Sequence, residues 1–245
     1  MTIRRLSTGH GAVTLSRWQL SLFTECPRCF WLVNRCGIKL PKSLPFALNS
    51  AIDGLLKTEF DTHRAAGTLP AILSALQGRA ALFTDAETLQ TWRNNFRGLR
   101  WTDPTTGHTL FGAVDDVLAF QDGSLAIVDY KSTGSAAPTI YASYQLQMDV
   151  YTFLLRCLGY RTAPTSYFAF FLVVKDDGFH GRLPFREALV EVTPDPGRVP
   201  ALFAQAVTLA QADRLPAPGA TCDLCRWYKE ADGRLRASRD ETVER

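Results

Sequence analysis

Two short apolar runs in the middle of the chain frame a polar turn. Residues 112–116 and 127–131 are rich in Val, Ile and Ala, as β-strands are, and turn residues bound them. Residues 121–124, between the two runs, have the composition of a hairpin turn. The pattern predicts an antiparallel hairpin whose apolar strands also carry acidic residues.

The rest of the chain alternates helical and strand-like patterns. A continuous helix through the first segment is excluded by Pro27, where we expect a new helix to begin. An almost unbroken β-favouring run at 165–174 predicts a central strand covered on both faces, with a returning strand at 187–192. We expect a loosely held lead-in at 1–14 and a disordered, charged tail at 230–245. Apolar spacing of three and four residues predicts helical segments at 16–35, 46–64, 71–76, 141–158 and 199–212.

Acidic residues and a lysine share one face of the predicted hairpin. Asp129 and Lys131 are two residues apart, so an extended strand points both side chains to the same side. A two-residue turn would place Asp116 opposite Asp129, whereas a three-residue loop with Gly123 in the left-handed conformation would place Asp115 there. Either register brings two carboxylates and an ammonium together. Such a set either forms a buried structural ion pair or binds a divalent cation such as Mg²⁺ or Mn²⁺.

Composition and charge place few limits on function. The 245 residues are 46% hydrophobic and 21% charged, and the net charge is +3, as in many globular proteins. This mild charge permits a nucleic-acid partner without arguing for one. No apolar run has transmembrane length, and the first residues lack the apolar stretch of a signal peptide. We therefore expect a cytoplasmic protein without a membrane partner, whose cysteines stay reduced.

Two pairs of cysteines lie near the two ends of the chain. Cys26 and Cys29 form one Cys-x-x-Cys turn, and Cys222 and Cys225 form another. Each such turn brings two thiolates onto one metal, so the two turns together predict a tetrathiolate site for Zn²⁺ or an iron–sulfur cluster. Cys36 is an alternative fourth ligand. A closed set of four thiolates has a structural role, because it leaves no open position for chemistry.

Basic and aromatic residues alternate in the segment 92–101. Arg93, Arg97 and Arg100 are interleaved with Trp and Phe residues, and no acidic residue separates them. Arginine can contact phosphates while an aromatic ring stacks on a base, which is how single-stranded nucleic acid is bound. The alternative is an ordinary amphipathic segment whose aromatic side chains pack in the core.

Three spaced motifs together resemble a known nuclease family. Gly-x-x-Asp, then Asp-x-Lys on the next strand, then Gln-x-x-x-Tyr on the following helix resembles the RecB-like pattern of the PD-(D/E)xK nuclease superfamily, including its CRISPR-associated exonuclease-like branch. The resemblance implies an α/β fold with a restriction-endonuclease-like mixed sheet flanked by helices, in a single domain at 15–229, with the two Cys pairs stapling one edge. The residues that carry the resemblance are Gly112, Asp115, Asp129, Lys131, Gln147 and Tyr151.

The resemblance also implies roles for these residues. It favours Asp115 over Asp116 as the metal ligand that acts with Asp129. Gln147 is then expected to orient the phosphate or the attacking water, and Tyr151 to support it.

The resemblance leaves two further ligand assignments open. Asp53 stands on the helix that presents a further metal ligand in the family; its other interpretation is a surface acid paired with Lys57, four residues on. The chain also lacks the third C-terminal Cys of the iron–sulfur relatives, so Cys29 must serve if four ligands are needed, and zinc becomes the alternative.

Together, the roles that the resemblance implies predict metal-dependent hydrolysis of DNA. Asp115 and Asp129 would hold Mg²⁺ or Mn²⁺, and Lys131 would stabilise developing charge or position the attacking water. We expect an exonuclease-like enzyme of DNA repair or processing that acts on single strands or duplex ends. The alternative is a catalytically inactive nucleic-acid-binding or adaptor protein that keeps the fold and the cysteine staple. Strand polarity and protein partners are left open by the sequence.

Overall fold

The computed structural model of the protein describes residues 11–41, 47–176 and 178–243. The α-helices in these ranges are α1 (Arg17–Glu25), α2 (Pro27–Asn34), α3 (Ala47–Ala66), α4 (Ala86–Arg93), α5 (Ala142–Cys157), α6 (Val199–Gln211) and α7 (Asp223–Val243). The strands are β1 (Thr14–Ser16), β2 (Ala80–Leu82), β3 (Leu99–Thr102), β4 (Thr109–Gly112), β5 (Asp116–Phe120), β6 (Leu125–Thr133), β7 (Ser166–Val173) and β8 (Phe185–Val192). Short 3₁₀ helices lie at Ala71–Leu76 and Pro196–Arg198.

The strands of the described ranges form two sheets. The larger has the order β2-β5-β6-β7-β8, in which β6 and β7 are parallel and the other neighbours antiparallel. The smaller has the order β1-β4-β3, with β1 parallel and β3 antiparallel to β4. Helix α5 connects the two parallel strands and packs against both sheets. The predicted mixed sheet flanked by helices is confirmed, with its strands divided between two sheets.

Strand β7 lies at the centre of the hydrophobic core. Its alternate side chains enter two different clusters, because successive residues of a strand point to opposite faces. Phe168 and Phe170 pack with α5, α1 and α6, whereas Ala169 and Phe171 pack with α3 and the 3₁₀ helix at Ala71–Leu76. The prediction of a strand covered on both faces is confirmed. Burial of each Phe side chain contributes roughly 1.5–3 kcal/mol.

The central hairpin adopts the three-residue loop. Asp116 pairs with Val128, and Gly123 has a φ of +79° in the loop 121–123. Continued by one residue, this register sets Asp115 beside Asp129. The predicted strand at 112–116 was wrong in one respect, because β4 ends at Gly112 and β5 begins at Asp116. Residues 113–115 cross from the smaller sheet to the larger one, and this crossing is the physical reason for the break.

The first two helices meet at the predicted break. Ser16 caps α1 by accepting from the N–H of Gln19, whose side chain in turn accepts from the Ser16 N–H, which satisfies two free donors. Cys26 then caps α2 with its sulfur, and Pro27 occupies the first helical position. Pro27 therefore starts the second helix, as predicted.

The two ends of the chain differ from expectation where the structure describes them. The predicted disordered tail at 230–245 is instead helical as far as Val243, since α7 continues through it. Its residues are mostly good helix formers, and pairs such as Asp232 and Arg236, four apart and 2.9 Å from each other, support the helix. Of the predicted lead-in at 1–14, residues 1–10 lie outside the described ranges and Thr14 already belongs to β1.

The sequence predicted no segment of transmembrane length, and the helices of the described ranges can be compared with that expectation. Each of them is either too short or too polar to cross a lipid bilayer.

Candidate active site

The predicted catalytic residues line one cleft. It has a volume of about 500 Å³ and lies where the smaller sheet, the crossing at 113–115, β6, α5 and the start of α1 meet. The structure brings five predicted side chains together there and adds an arginine from the start of α1. The residues concerned are Asp115, Asp129, Lys131, Gln147, Tyr151 and Arg17.

Asp115 lies in the crossing between the two sheets and points into the cleft. Its Oδ2 accepts a hydrogen bond of 3.0 Å from the backbone N–H of Tyr130, and its Oδ1 lies 3.4 Å from Nζ of Lys57. Burial, and secondarily the charge of Asp129, raise the pKa of Asp115 to about 7. Asp129 is buried and Asp115 partly exposed to the cleft. Two carboxylates that repel each other in this way form a donor set suited to a divalent cation, because Mg²⁺ and Mn²⁺ prefer oxygen ligands.

Asp129 lies on β6 and is held by two side chains. It is only 2% exposed, and both Nζ of Lys131 and Nε2 of Gln147 donate to its carboxylate. Gln147 Nε2 also lies 3.4 Å from the hydroxyl oxygen of Tyr151, one turn further along α5. The ammonium of Lys131 lies 4.7 Å from the ring centroid of Tyr144. This contact restricts Lys131 to the side of β6 that faces the cleft.

Gly112, at the end of β4, allows α5 to pack closely against this strand. A Cβ at this position would lie 2.6 Å from Cε1 of Tyr151 and 3.2 Å from Cβ of Arg17. Real side chains do not tolerate the first distance, so only glycine fits. Burial raises the pKa of Tyr151 to about 12, so the hydroxyl stays protonated and can donate. The glycine of the Gly-x-x-Asp motif therefore serves the packing of Tyr151 beside the acids.

Lys57 on α3 is a cation of the site that the sequence analysis did not select. Its Nζ donates to Oδ2 of Asp53 at 2.7 Å and lies 3.4 Å from Oδ1 of Asp115. Burial lowers the pKa of Lys57, but the carboxylates of Asp115 and Asp53 outweigh it and raise the pKa above its usual value. Asp53 thus reaches Asp115 through Lys57. The four-residue spacing between Asp53 and Lys57 was the signal that pointed to this pair.

Asp116 belongs to a buried ion network beneath the cleft. It is 0% exposed, and it accepts from Arg64 at 2.7 Å, from Arg93 at 2.9 Å and from the hydroxyl of Tyr130 at 2.7 Å. Burial and the neighbouring Asp116 raise the pKa of Tyr130, so it remains a donor. A carboxylate so fully paired is a poor ligand for a metal. The geometry therefore separates the two adjacent acids, with Asp115 in the cleft and Asp116 in the interior.

The prediction that Arg93 binds nucleic acid is corrected by the structure. Its side chain is 6% exposed and contacts Asp61, Asp116 and the carbonyl oxygen of Asp115. Burial lowers the pKa of Arg93, but Asp116 and Asp61 together outweigh burial and raise the pKa above its usual value. The physical reason is that acids distant in sequence surround a residue whose local sequence contains no acid.

Arg97 and Arg100 lie at the surface instead. Both are exposed, and the guanidinium of Arg100 lies 4.7 Å from the ring centroid of Phe111. Phe111 lines the cleft, so Arg100 lies beside the cleft. Trp92 is buried and stacks on Phe83, so this aromatic residue packs in the core, whereas Phe96 is exposed.

The four paired cysteines form a separate cluster. Their sulfurs lie within 4.8 Å of one another, and the separations are 3.7 Å for Cys26–Cys225, 3.7 Å for Cys29–Cys222 and 3.6 Å for Cys29–Cys225. The cluster joins the start of α2 to the start of α7. Such a group could hold a structural metal. The remaining alternative ligand, Cys36, lies outside this group.

Backbone N–H groups make one cysteine acidic. Burial raises the pKa of Cys26, but hydrogen bonds from the N–H of Gly219 and of Cys29 lower it to about 7. Burial raises the pKa of Cys225 to about 11, and it raises the pKa of Cys29 by more. A metal cation bound to these sulfurs would lower both pKa values. A Cβ on Gly219 would lie 2.1 Å from the carbonyl oxygen of Glu25, so this approach also requires glycine.

Comparison with known proteins identifies the family. The family model of the PD-(D/E)XK nuclease superfamily matches residues 14–229. The chain belongs to the PD-(D/E)XK nuclease superfamily, whose members are typically hydrolytic nucleases that use divalent metals.

Two other comparisons add little. No curated protein matches the chain. Among solved structures, the chain is similar to one titled "Crystal structure of SSO0001", with 12% identity and a TM-score of 0.40 over 82% of this chain and 78% of that one. A likeness at this level contributes nothing to the assignment of function.

Proposed function

We propose that the protein is a metal-dependent deoxyribonuclease of the RecB-like, CRISPR-associated exonuclease-like kind. The observation that carries the proposal is the arrangement of Asp115, Asp129 and Lys131 around one open cleft. Two carboxylates supply the charge that a divalent ion needs, and an ammonium lies next to one of them. Membership of a superfamily of hydrolytic nucleases supports the same reaction.

Asp115 and Asp129 would hold Mg²⁺ or Mn²⁺, together with the backbone carbonyl of Tyr130. When bound, the ion supplies Lewis acidity toward the scissile phosphate and lowers the pKa of water. Lys131 stabilises the negative charge that develops on the phosphate, because its ammonium is fixed beside Asp129 and Tyr144. Gln147 orients Asp129 and the attacking water.

Three further residues complete the proposed site. Tyr151 supports Gln147 from the next turn of α5. Asp53 acts by holding Lys57 against Asp115, since its carboxylate is already bonded to that ammonium. Arg97 and Arg100 contact backbone phosphates of the DNA, which predicts binding that weakens with salt.

The test is hydrolysis of single-stranded and duplex DNA by the purified protein with added Mn²⁺ or Mg²⁺. We expect Asp129→Ala and Lys131→Ala to abolish cleavage, while the exposed Lys39→Ala, a control of the same residue type, keeps it. Cleavage that persists undiminished in both site variants would come from a contaminant and would refute the proposal. Binding of DNA without cleavage by the wild type would instead support the adaptor alternative.

We propose a single Zn²⁺ as the ion of the cysteine cluster. Four thiolates at about 2.3 Å from one zinc form a tetrahedron whose edges are about 3.8 Å. Three of the six observed separations are 3.6 or 3.7 Å, and all six lie within 4.8 Å. A four-iron cluster binds each thiolate to a different iron and so holds the sulfurs further apart. The distances therefore favour the mononuclear site.

Elemental analysis after anaerobic purification tests this assignment. We expect one zinc per chain and a colourless protein, with loss of the zinc and lower thermal stability in Cys222→Ser. The matched control is Cys157→Ser, because Cys157 lies outside the cluster. A brown protein that contains iron and loses its colour in Cys222→Ser would show an iron–sulfur cluster instead.

A further inference from the structure

Arg17, at the start of α1, can bind an anion in the cleft. Arg17 lines the cleft with Asp129 and Lys131, and its Nη1 lies at the long distance of 3.5 Å from Oγ of Ser21. Its Nε is buried without a hydrogen-bond partner in the described part of the chain. A buried N–H that lacks an acceptor is unfavourable, and a hydrogen bond to a charged group would stabilise it. A phosphate oxygen entering the cleft would provide that acceptor.

Two large aromatic side chains are exposed at the same cleft. Trp18 is 50% exposed and follows Arg17 on α1, and Phe96 is 85% exposed on the opposite segment. Neither residue belongs to the hydrophobic clusters of the described residues. Their position beside the candidate catalytic acids is therefore best explained by a ligand with flat apolar faces.

The backbone that carries Phe96 is well fixed. Oδ1 of Asn94 accepts from the N–H groups of Phe96 and Arg97, both at 2.9 Å. Nη2 of Arg100 donates to the carbonyl oxygen of Phe96 at 3.0 Å. The ring is thus presented to the cleft by a rigid turn, which lowers the entropy that stacking would cost.

We propose that Arg17, Trp18 and Phe96 bind an unpaired DNA strand at the scissile position. Arg17 binds a backbone phosphate next to the acids, and the two rings stack on the neighbouring bases. Paired bases have both faces covered inside a duplex, so two aromatic platforms select unpaired nucleotides or a frayed end. This substrate preference rests on the proposed nuclease function, but the binding that it requires can be measured without cleavage.

The test measures binding of fluorescein-labelled oligothymidine by fluorescence anisotropy without added divalent ions. We expect Trp18→Ala and Phe96→Ala each to weaken binding by about 5- to 150-fold, the loss of one base stack. Trp18→Phe and Phe96→Tyr should keep most of the affinity, because they keep a ring. The matched control is Tyr228→Ala, since Tyr228 is an aromatic residue of α7 that is 64% exposed.

Binding of an abasic strand, which has phosphates but no bases, distinguishes base stacking from phosphate binding. The wild type should bind it more weakly than oligothymidine, whereas a Trp18→Ala/Phe96→Ala double variant should bind the two strands equally. Arg17→Ala should weaken both strands alike. Equal affinity of the wild type and both single aromatic variants for oligothymidine would overturn the proposal, as would a wild type that prefers duplex.

The two proposals fail separately in these measurements. If the wild type binds as expected but cleaves nothing, the nuclease function fails and the strand-binding surface stands. If the wild type cleaves DNA and the aromatic variants retain its affinity and its ratio of single-strand to duplex cleavage, only the strand-binding surface fails.

Discussion

The guanidinium of Arg93 donates a hydrogen bond of 2.7 Å from Nε to the backbone carbonyl oxygen of Asp115. The same guanidinium donates to Asp61 and Asp116 at 2.9 Å. Arg93 therefore holds the backbone of a candidate metal ligand from the interior side, while the carboxylate of that ligand faces the cleft. Arg93, which the sequence analysis selected as a phosphate-binding arginine, therefore supports the backbone of the site.

Loss of Arg93 should destabilise the fold. In Arg93→Ala, Asp116 loses a buried partner, and breaking a buried pair costs about 3–5 kcal/mol of unfolding free energy. Urea denaturation measures this loss. The exposed Arg97→Ala is the control, with unchanged stability and a weaker salt dependence of DNA binding. If Arg93→Ala kept wild-type stability and altered only DNA binding, the supporting role would be wrong.

Substitution of Gly112 should act on the site through Tyr151. In Gly112→Ala, the added Cβ meets Cε1 of Tyr151 at 2.6 Å and forces the ring or the backbone to move. We expect kcat to fall by roughly 10- to 100-fold, because a misplacement of about 1 Å at a reacting centre can cost about 100-fold.

Gly54→Ala is the matched control for this substitution. A Cβ there would have nothing within 4 Å, and Gly54 lies in the middle of α3. We expect this variant to retain activity and to gain about 0.5–1 kcal/mol of stability. Equal activity of both alanine variants would contradict the close packing at Gly112.

Asp115 should make the metal-free protein less stable as the pH rises. Its pKa is raised from 3.8 to about 7 in the folded state, chiefly by burial. Between these values the folded protein holds a proton that the unfolded chain has released, so stability falls from about pH 4 to about pH 7 and then levels off. Asp115→Asn removes this penalty.

Thermal unfolding without added Mg²⁺ or Mn²⁺ measures the effect. Asp115→Asn should unfold at a higher temperature than the wild type at pH 8, and the difference should vanish near pH 4. The same substitution should abolish cleavage. Asp116→Asn is the contrasting variant, expected to destabilise at pH 8 because it weakens the acceptor of Arg64 and Arg93. A lower stability of Asp115→Asn at pH 8 would contradict this prediction.

A double-mutant cycle should distinguish the two roles of Asp53. If Asp53 acts only by holding Lys57, then Lys57→Ala and the Lys57→Ala/Asp53→Asn double variant have equal kcat/KM, whereas a direct ligand makes the losses add. We expect the first outcome, with kcat/KM lower by roughly tenfold, the equivalent of about 1.4 kcal/mol. Manganese titrations of activity supply the second measurement. Additive losses with a weaker apparent affinity for Mn²⁺ in Asp53→Asn would restore Asp53 as a ligand.

Local spacing was sufficient where partners lie within one element or one hairpin. The two-residue interval of Asp129 and Lys131 placed both toward the cleft, and the four-residue interval of Gln147 and Tyr151 stacked them on one side of α5. Glycine at 123 limited the hairpin to two registers. These features follow from the periods of strands and helices, which the sequence expresses directly.

Tertiary structure decided everything that depends on partners distant in the chain. Asp115 and Asp116 are adjacent residues of the same type. Only the crossing between the two sheets places the Asp115 side chain in the cleft and the Asp116 side chain against Arg64 and Arg93. Lys57 and Arg17, whose Nε is buried at the cleft, became visible in the same way. The physical reason is that the cost of a buried charge depends on the charges packed around it, and packing joins residues that the sequence keeps far apart.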